Sequence, residues 1–461
     1  MAFDLDFVCQ TLHLTPQSNR PLRGLSIDTR TLQPEQIFAA IRGPRFDGHD
    51  YIPQAIQGGC GALLVETPPK SPPPCPVLVV ADILKAMEQL ATAWRNQVDP
   101  IVIAITGSSG KTTVKEMTNL CLQQHFKGVH ATKGNLNNHY GVPLTLLAMP
   151  ETCQALVVEM GMSAAGEIAQ LTRMAQPDVG VVTNVLAAHL AAFTSIEEIA
   201  QAKGELFAEM PPQGVAIFNG TQWARALLQS LAGDRKQITF GPWDNRSVSL
   251  DLSARSIRQS AEGLAFHIHW PDHSSTPVHL PCQGRHMVDN ALAAAAACRQ
   301  VGVTTEAIVR GLKLFSPPAG RGAIQRAAGG WMVIDDSYNA NPGSVKAAIQ
   351  ALAASPEGAR RVVILGDMLE LGKQAESLHR ELAEEITKAR VSHLFTAGPL
   401  MKHLHEACQN VSTLTAQHRD DPGDWLGTIP RQLQPGDRVL VKGSRGMKME
   451  RIVSDLISYA L

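Results

Sequence analysis

Three short apolar stretches, Ile37 to Ile41, Ala62 to Val65 and Val77 to Val80, are separated by turn residues and by one amphipathic stretch, Tyr51 to Gln57. That pattern predicts a small α/β module. The run Pro68 to Pro76 has the composition of a linker, but a strand follows at once, so it reads as a stiff surface loop of the same module. A helical pattern from Ile83 to Asn96 then leads into an apolar strand, Ile101 to Ile105, which puts the first boundary near residue 83.

Beyond it the strand candidates Leu156 to Glu159, Val179 to Thr183, Val215 to Asn219 and Gln237 to Phe240 alternate with helical stretches. This is the order of a parallel sheet covered on both faces. Ser195 to Met210 reads as a helix with Ser195 as its N-cap, Glu198 closing a capping box, and Pro211-Pro212 ending it. Between 247 and 280 the period changes to two, through Leu264, Phe266, Ile268 and Trp270, which predicts a β-rich insertion. The stretch Phe315 to Gly322 breaks the helical pattern and marks the second boundary. After it Met332 to Asp335, Val362 to Leu365, His393 to Thr396 and Val439 to Val441 predict strands of a second doubly wound module. The expected chain is therefore α/β with three domains. They are a small N-terminal α/β module (1–83), a central P-loop-type, mainly parallel sheet domain with a β-rich insertion (84–314), and a C-terminal Rossmann-like domain (315–461).

Composition narrows the chemistry. The 461 residues suit three cores of about 150 residues each. Lys and Arg total 41 against 42 for Asp and Glu, so no global basic field exists to hold a nucleic acid, and an anionic ligand must be met by local charge. Eight cysteines without a C-x-x-C pair suggest free buried thiols. Asp4 and Asp6 stand where a secretory signal needs basic residues, and the longest apolar runs fall short of the roughly 20 residues that span a bilayer. The expectation is a cytoplasmic monomer without membrane insertion.

The strongest local signal is the apolar strand followed by Thr106-Gly107-Ser108-Ser109-Gly110-Lys111-Thr112-Thr113 and a helix. Strand, glycine loop, lysine, hydroxyl and helix come in the order a phosphate cradle needs. Ile105 stands where the common pattern has its first glycine. Gly107 and Gly110 let backbone N–H groups converge on phosphate, Lys111 supplies positive charge, and Thr112 suits Mg²⁺. Four further features fall at strand ends or on helices. Asn135 to Asn138 is dense in amides that either cap turns or meet a ligand. Glu159 ends a strand and either caps the next helix or binds a cation. His189 follows Thr183-Asn184 as a structural histidine or a ligand, and Lys203 lies on the Ser195 helix. Lys203 is either an ordinary solvated lysine or an amine that takes up CO₂ as a carbamate. His267 and His269 share one strand face, but no partner Cys or Glu completes a metal site.

Taken in order, the phosphate loop, N-x-N-N-x-x-G-V-P, E-x-G, T-N-x-x-x-A-H-L and A-K-G-E-L-F resemble the Mur ligase family, the ATP-dependent amide ligases of peptidoglycan precursor synthesis. The resemblance continues through Gly284-Arg285-His286, Asn290, Arg321, Asp335 to Pro342 (D-D-S-Y-N-A-N-P), Leu365 to Gly372 (L-G-D-M-L-E-L-G) and Lys442-Gly443-Ser444-Arg445, so it covers nearly the whole chain. The last three elements are similar to the branch that adds D-alanyl-D-alanine, and the D-N-P-R element of the diaminopimelate-adding branch is absent. Met287 replaces the asparagine of the family's H-N-x-x-N pattern.

The resemblance implies that ATP activates the carboxylate of UDP-N-acetylmuramoyl-tripeptide as an acyl phosphate, which the amine of D-alanyl-D-alanine then attacks. It implies ATP contacts from Gly107 to Thr113, His286, Asn290, Arg321 and Asp336, and catalytic roles for Lys111, Asn138, His189 and Lys203. It further implies Mg²⁺ at Thr112, Glu159, His189 and carbamoylated Lys203, and substrate contacts from Asp28, Thr29, Arg30, Asn137, Ser444 and Arg445. Asp28 to Arg30 also reads as a simple salt-bridged turn. Two other expectations compete: a folylpolyglutamate-type ligase, and a regulatory ATP-binding switch without ligase activity.

Overall fold

The computed structural model describes residues 3–15, 19–44, 46–187, 190–242, 249–260, 262–354 and 358–459. His189 therefore lies outside the described residues. Near the N-terminus Leu25–Ser26, Ile37–Ala39, Ala62–Val65 and Val77–Val79 form a four-stranded parallel sheet. In the middle, nine strands form one sheet, in which Ile101–Thr106 lies between Ala155–Glu159 and Val179–Val182. A third sheet of six strands holds Met332–Asp336, Arg438–Lys442 and Arg361–Gly366 side by side.

The central sheet positions the site. Ile101–Thr106 is buried along nearly its whole length, as expected for a strand covered by helices on both faces. On one side of it the chain has laid down Ala155–Glu159 and Val129–Ala131, and on the other Val179–Val182 and Val215–Asn219. The strands remain parallel, but the side on which successive strands are added switches at this strand, and crevices at such switch points collect ligands. The phosphate loop, Glu159 and Thr183-Asn184 leave the three neighbouring strands at the same end.

Several expectations change in detail. The β-rich stretch extends the central sheet, because Leu252–Ser260 pairs parallel with Lys236–Pro242 before two antiparallel strands follow. Among the strands that escape sequence reading, the two-residue Leu25–Ser26, Arg42–Gly43 and Phe46–Asp47 are too short to show a period, and Val129–Ala131, Ala323–Arg326 and Thr415–Arg419 lie at sheet edges, where polar and half-buried residues interrupt any apolar run. Ser195 caps the helix Ile196–Glu209, but the Glu198 carboxylate accepts from the Thr194 N–H and hydroxyl at 2.8 and 2.6 Å, so the expected capping box reaches one residue further back. Among the free cysteines Cys75 is only partly buried, contrary to the expectation of uniformly buried thiols. No helix among the described residues is long and apolar enough to cross a membrane.

The helix Ile83–Val98 joins the first sheet to the central one. Its Asp82 N-cap accepts from the Lys85 N–H, and its buried face carries Met87, Leu90 and Trp94. Trp94 donates to the Met149 carbonyl at 2.9 Å, and Arg95 donates to the carbonyls of Ala175 and Gln176. Phe3 and Phe7 meet the Trp94 ring edge-on at 5.1 and 5.5 Å. One indole thus locks the N-terminal helix Leu5–Thr11 and the central domain to the same surface. Trp94→Ala is expected to cost about 3–5 kcal/mol of stability. Urea denaturation followed by circular dichroism measures this; a loss below about 1 kcal/mol would show that the surface closes without the ring.

Candidate active site

The phosphate loop owes its shape to two glycines that no other residue can replace without collision. Gly107 has φ 145°, and a Cβ there would lie 1.9 Å from the Thr183 hydroxyl oxygen; Gly110 has φ 81°, and its Cβ would lie 2.5 Å from the Asn290 amide oxygen. Thr183-Asn184 braces the loop. Ser108 N–H donates to the Asn184 carbonyl at 3.0 Å and Ser109 N–H to its side-chain oxygen at 2.9 Å, while the Thr183 hydroxyl donates to the Ser109 carbonyl at 2.6 Å. The helix Lys111–Gln123 then begins, and its first-turn N–H groups, including those of Thr112 and Thr113, have no intrahelical acceptor.

At the mouth of the loop, Glu159 is 1% exposed. Its carboxylate accepts from the Thr112 hydroxyl at 2.7 Å and from the Asn137 amide at 2.8 Å, while its backbone N–H donates to the Thr132 hydroxyl. Buried Lys115, one helical turn after Lys111, donates to the Thr132 carbonyl and pairs with Glu116. The helix cap that sequence allowed for Glu159 is not what the carboxylate does. One carboxylate beside one hydroxyl suits Mg²⁺, which takes few protein oxygens and completes its shell with phosphate and water. Among the described residues no group of three His, Cys, Asp or Glu side chains is placed to hold a metal ion by itself.

Lys111 donates to the Gly107 carbonyl at 2.8 Å. Burial lowers its pKa, against the opposing attraction of Glu159, and Arg321 adds to the lowering. Lys203 is 2% exposed, and burial and then the Lys111 charge hold its pKa well below the usual lysine range. Its helix is fixed in place by Glu205, which accepts from the N–H groups of Gly166 and Ala169 at the start of the helix Glu167–Ala175. Lys203 is therefore not a solvated surface lysine. It is a buried amine with a reduced tendency to protonate.

A cleft of about 460 Å³ runs from this loop to the third domain and is lined by Lys111, Glu159, Arg321, Asp336, Lys442 and Arg445. Arg321 stacks over the Tyr338 ring at 4.1 Å, and Arg445 lies 5.4 Å from the same ring. Lys442, only 3% exposed, pairs with Asp336 at 2.7 Å and donates to the Asn339 carbonyl at 2.8 Å. Asp335 accepts from the Gly320 N–H and the Ser337 N–H and hydroxyl, which shapes the turn carrying Arg321. His286 begins the helix His286–Gln300 on the same cleft, with its pKa lowered by burial.

Other expected residues have different neighbours. Asn138 faces the cleft, but its side-chain oxygen accepts from Tyr140 and Gly141 N–H groups and starts the helix Gly141–Leu147. Asn137 gives its amide to Glu159. Asn290 lies against Gly110 and donates to the Met287 sulfur at 3.7 Å, so Met287 keeps a weak acceptor in this position. Ser444 is buried: its hydroxyl accepts from Leu369 N–H at 2.8 Å and donates to the Ala340 carbonyl, tying the L-G-D-M-L-E-L-G turn to the D-D-S-Y-N-A-N-P turn. Asp28 and Arg30 form an exposed ion pair at 2.6 Å beside Thr29 in the first domain. Sequence reasoning gave no role to Thr132, Lys115, Tyr338 or Lys442. The last two sit inside quoted motifs, whereas nothing around Thr132 distinguishes it.

Three family descriptions match in chain order: Mur ligase family, catalytic domain over 21–99; Mur ligase middle domain over 105–298; and Mur ligase, glutamate ligase domain over 320–445. The UDP-N-acetylmuramoyl-tripeptide–D-alanyl-D-alanine ligase of Bacillus subtilis is 38% identical over 443 residues, covering 95% of this chain and 94% of the relative. The MurF structure of Acinetobacter baumannii superposes with a TM-score of 0.88 at 32% identity, over 99% of both chains. MurF ligase of Thermotoga maritima, solved in complex with ADP, superposes with a TM-score of 0.82 at 26% identity, over 94% of this chain and 97% of that one. With the phosphate loop, the buried acid and the cationic third-domain wall around one cleft, the chain belongs to the Mur ligase family.

Proposed function

We propose that this chain is the ATP-dependent ligase that joins D-alanyl-D-alanine to UDP-N-acetylmuramoyl-tripeptide, with ADP and phosphate as the other products. The supporting observation is the convergence of Lys111, the Thr112–Glu159 pair, Arg321 and the Asp336–Lys442 pair on one cleft. In this reading the precursor binds the 1–83 module, ATP binds the 84–314 domain, and the 315–461 domain closes over both.

Amide formation in water needs an activated carboxylate, and bringing a carboxylate against a triphosphate opposes like charges. At 4 Å that repulsion is about 4 kcal/mol at an effective dielectric near 20. Lys111 and Arg321 neutralise it locally, and the loop's first-turn N–H groups bind phosphate oxygens. Thr112 and Glu159 would hold Mg²⁺, whose charge screens the phosphates during transfer. Asn137 keeps the Glu159 carboxylate aimed at that position. Lys442 orients Asp336 toward the nucleotide, and Arg445 with Tyr338 forms the wall on the dipeptide side. Lys203 takes up CO₂ through its unprotonated amine and releases one N–H proton to water, which turns a buried neutral amine into an anionic carbamate beside Lys111. His189 is assigned to the same cation region by its place in the T-N-x-x-x-A-H-L motif.

An ADP-release assay with the UDP-tripeptide and a panel of dipeptides tests the reading. Release that requires both the precursor and D-alanyl-D-alanine is expected; release with a folate and glutamate, or hydrolysis indifferent to both substrates, would replace it with one of the rival functions. Lys203→Ala is expected to lower turnover more than about 100-fold and to regain part of it with a short carboxylic acid. Near-normal turnover in that variant would remove the carbamate. Glu159→Gln is expected to keep the Thr112 hydrogen bond through its amide oxygen but, with the charge gone, to raise the Mg²⁺ concentration for half-maximal rate about tenfold. An unchanged Mg²⁺ requirement would place the cation elsewhere.

A further inference from the structure

The cysteines differ sharply in their surroundings. Seven of the eight are buried, and only Cys75 is partly exposed. Burial pushes the Cys153 and Cys408 thiols up to about 11 and Cys282 up to about 12, so these three stay protonated and inert. Cys75 sits on the last turn of the proline-rich loop, between Pro74 and Pro76, with its sulfur 3.7 Å from that of Cys60.

The sheet makes this pair. Leu63 pairs with Val77 in the parallel ladder, so Cys60 and Cys75, which precede these partners, come side by side where the two strands begin. Arg20 donates to the Gly61 carbonyl at 3.1 Å, which parks its guanidinium beside the two sulfurs. The Cys60 thiol hydrogen bond and the Arg20 charge bring Cys75 down to about 7, and the same hydrogen bond, with burial, pushes Cys60 up. One sulfur is accessible and readily ionised. The other is sheltered and within reach of it, as in an attacking and resolving pair.

We propose that Cys60 and Cys75 form a thiol–disulfide couple that exchanges with low-molecular-weight disulfides of the glutathione class. The Cys75 thiolate attacks one sulfur of the small disulfide, forming a mixed disulfide and expelling one small thiolate. That thiolate takes the Cys60 proton; the Cys60 thiolate then attacks the Cys75 sulfur and expels the second small thiolate, which takes from water the proton that Cys75 had released. Two protein thiols are oxidised by two electrons, and one small disulfide is reduced to two thiols. The bond formed closes the loop 61–74 without involving any residue of the ligase cleft.

The test is oxidation of the full chain by oxidised glutathione, followed by intact mass and peptide mapping. The expected result is a loss of about 2 Da without an adduct, a peptide linking Cys60 to Cys75, and a rate that rises as pH passes about 7. Cys60→Ser is expected to stop at a stable glutathione adduct on Cys75, and Cys75→Ser to oxidise at least tenfold more slowly. The mapping of the unsubstituted chain stands even if a variant folds poorly. A persistent adduct on Cys75 in the unsubstituted chain, no loss of thiols, or an unchanged rate in Cys75→Ser would each overturn the proposal.

Discussion

Almost everything around the cleft depends on keeping one carboxylate out of water. Glu159 is nearly inaccessible, and a buried carboxylate is tolerated only where hydrogen bonds and a counter-charge replace its hydration. The Thr112 hydroxyl and Asn137 amide provide the first, and Lys111 the second. Lys111 and Thr112 start the helix that follows the phosphate loop, Asn137 lies in the amide-rich turn beyond that helix, and Glu159 itself ends the neighbouring strand. Satisfying one acid therefore fixes three segments relative to one another. Thr132 and Lys115 extend the same network beneath the site, where Lys115 anchors the carbonyl of the residue that holds the Glu159 backbone.

The third domain uses a parallel device. Lys442 is buried against Asp336, and Asp335 gathers the turn that carries Arg321, so two adjacent acids do different work. One shapes the backbone and the other faces the cleft. Ser444 and the carbonyl of Asp367 tie the remaining turns of this domain together, since the Ser444 N–H donates to Asp367 at 3.0 Å. The third-domain wall of the cleft is thus a set of turns cross-linked by side chains, set on a mainly parallel sheet.

What the sequence disclosed follows from how each element earns its pattern. Ile101–Thr106 and Val179–Val182 are buried on both faces, so they read as unbroken apolar runs, and the glycine loop between strand and helix has few alternative meanings. The edge strands Thr415–Arg419 and Ala323–Arg326 expose one side to water and carry polar residues there, which erases the signal. Side-chain partnerships were harder still. The motif identified Glu159 and Asn137 as separate candidates, but only the folded chain joins them, across 22 residues. Ser444 is the reverse case: a motif suggested contact with substrate, and its hydroxyl is occupied between two buried turns. Nor does any pattern along the chain reveal that Lys203 is buried, since its helix also carries the exposed polar residues Glu197, Glu198 and Gln201.

The alanine run Ala293–Ala297 lies wholly buried on the helix that carries His286 and Asn290, packed against the helix that follows the phosphate loop. Methyl groups have no alternative rotamers to explore, so this contact has one spacing. Asn290 touches Gly110 through that same pair of helices. The gap between the phosphate loop and the cleft-lining start of the His286 helix is therefore gauged by the stiffest side chains available, and thermal motion of long aliphatic groups never blurs it.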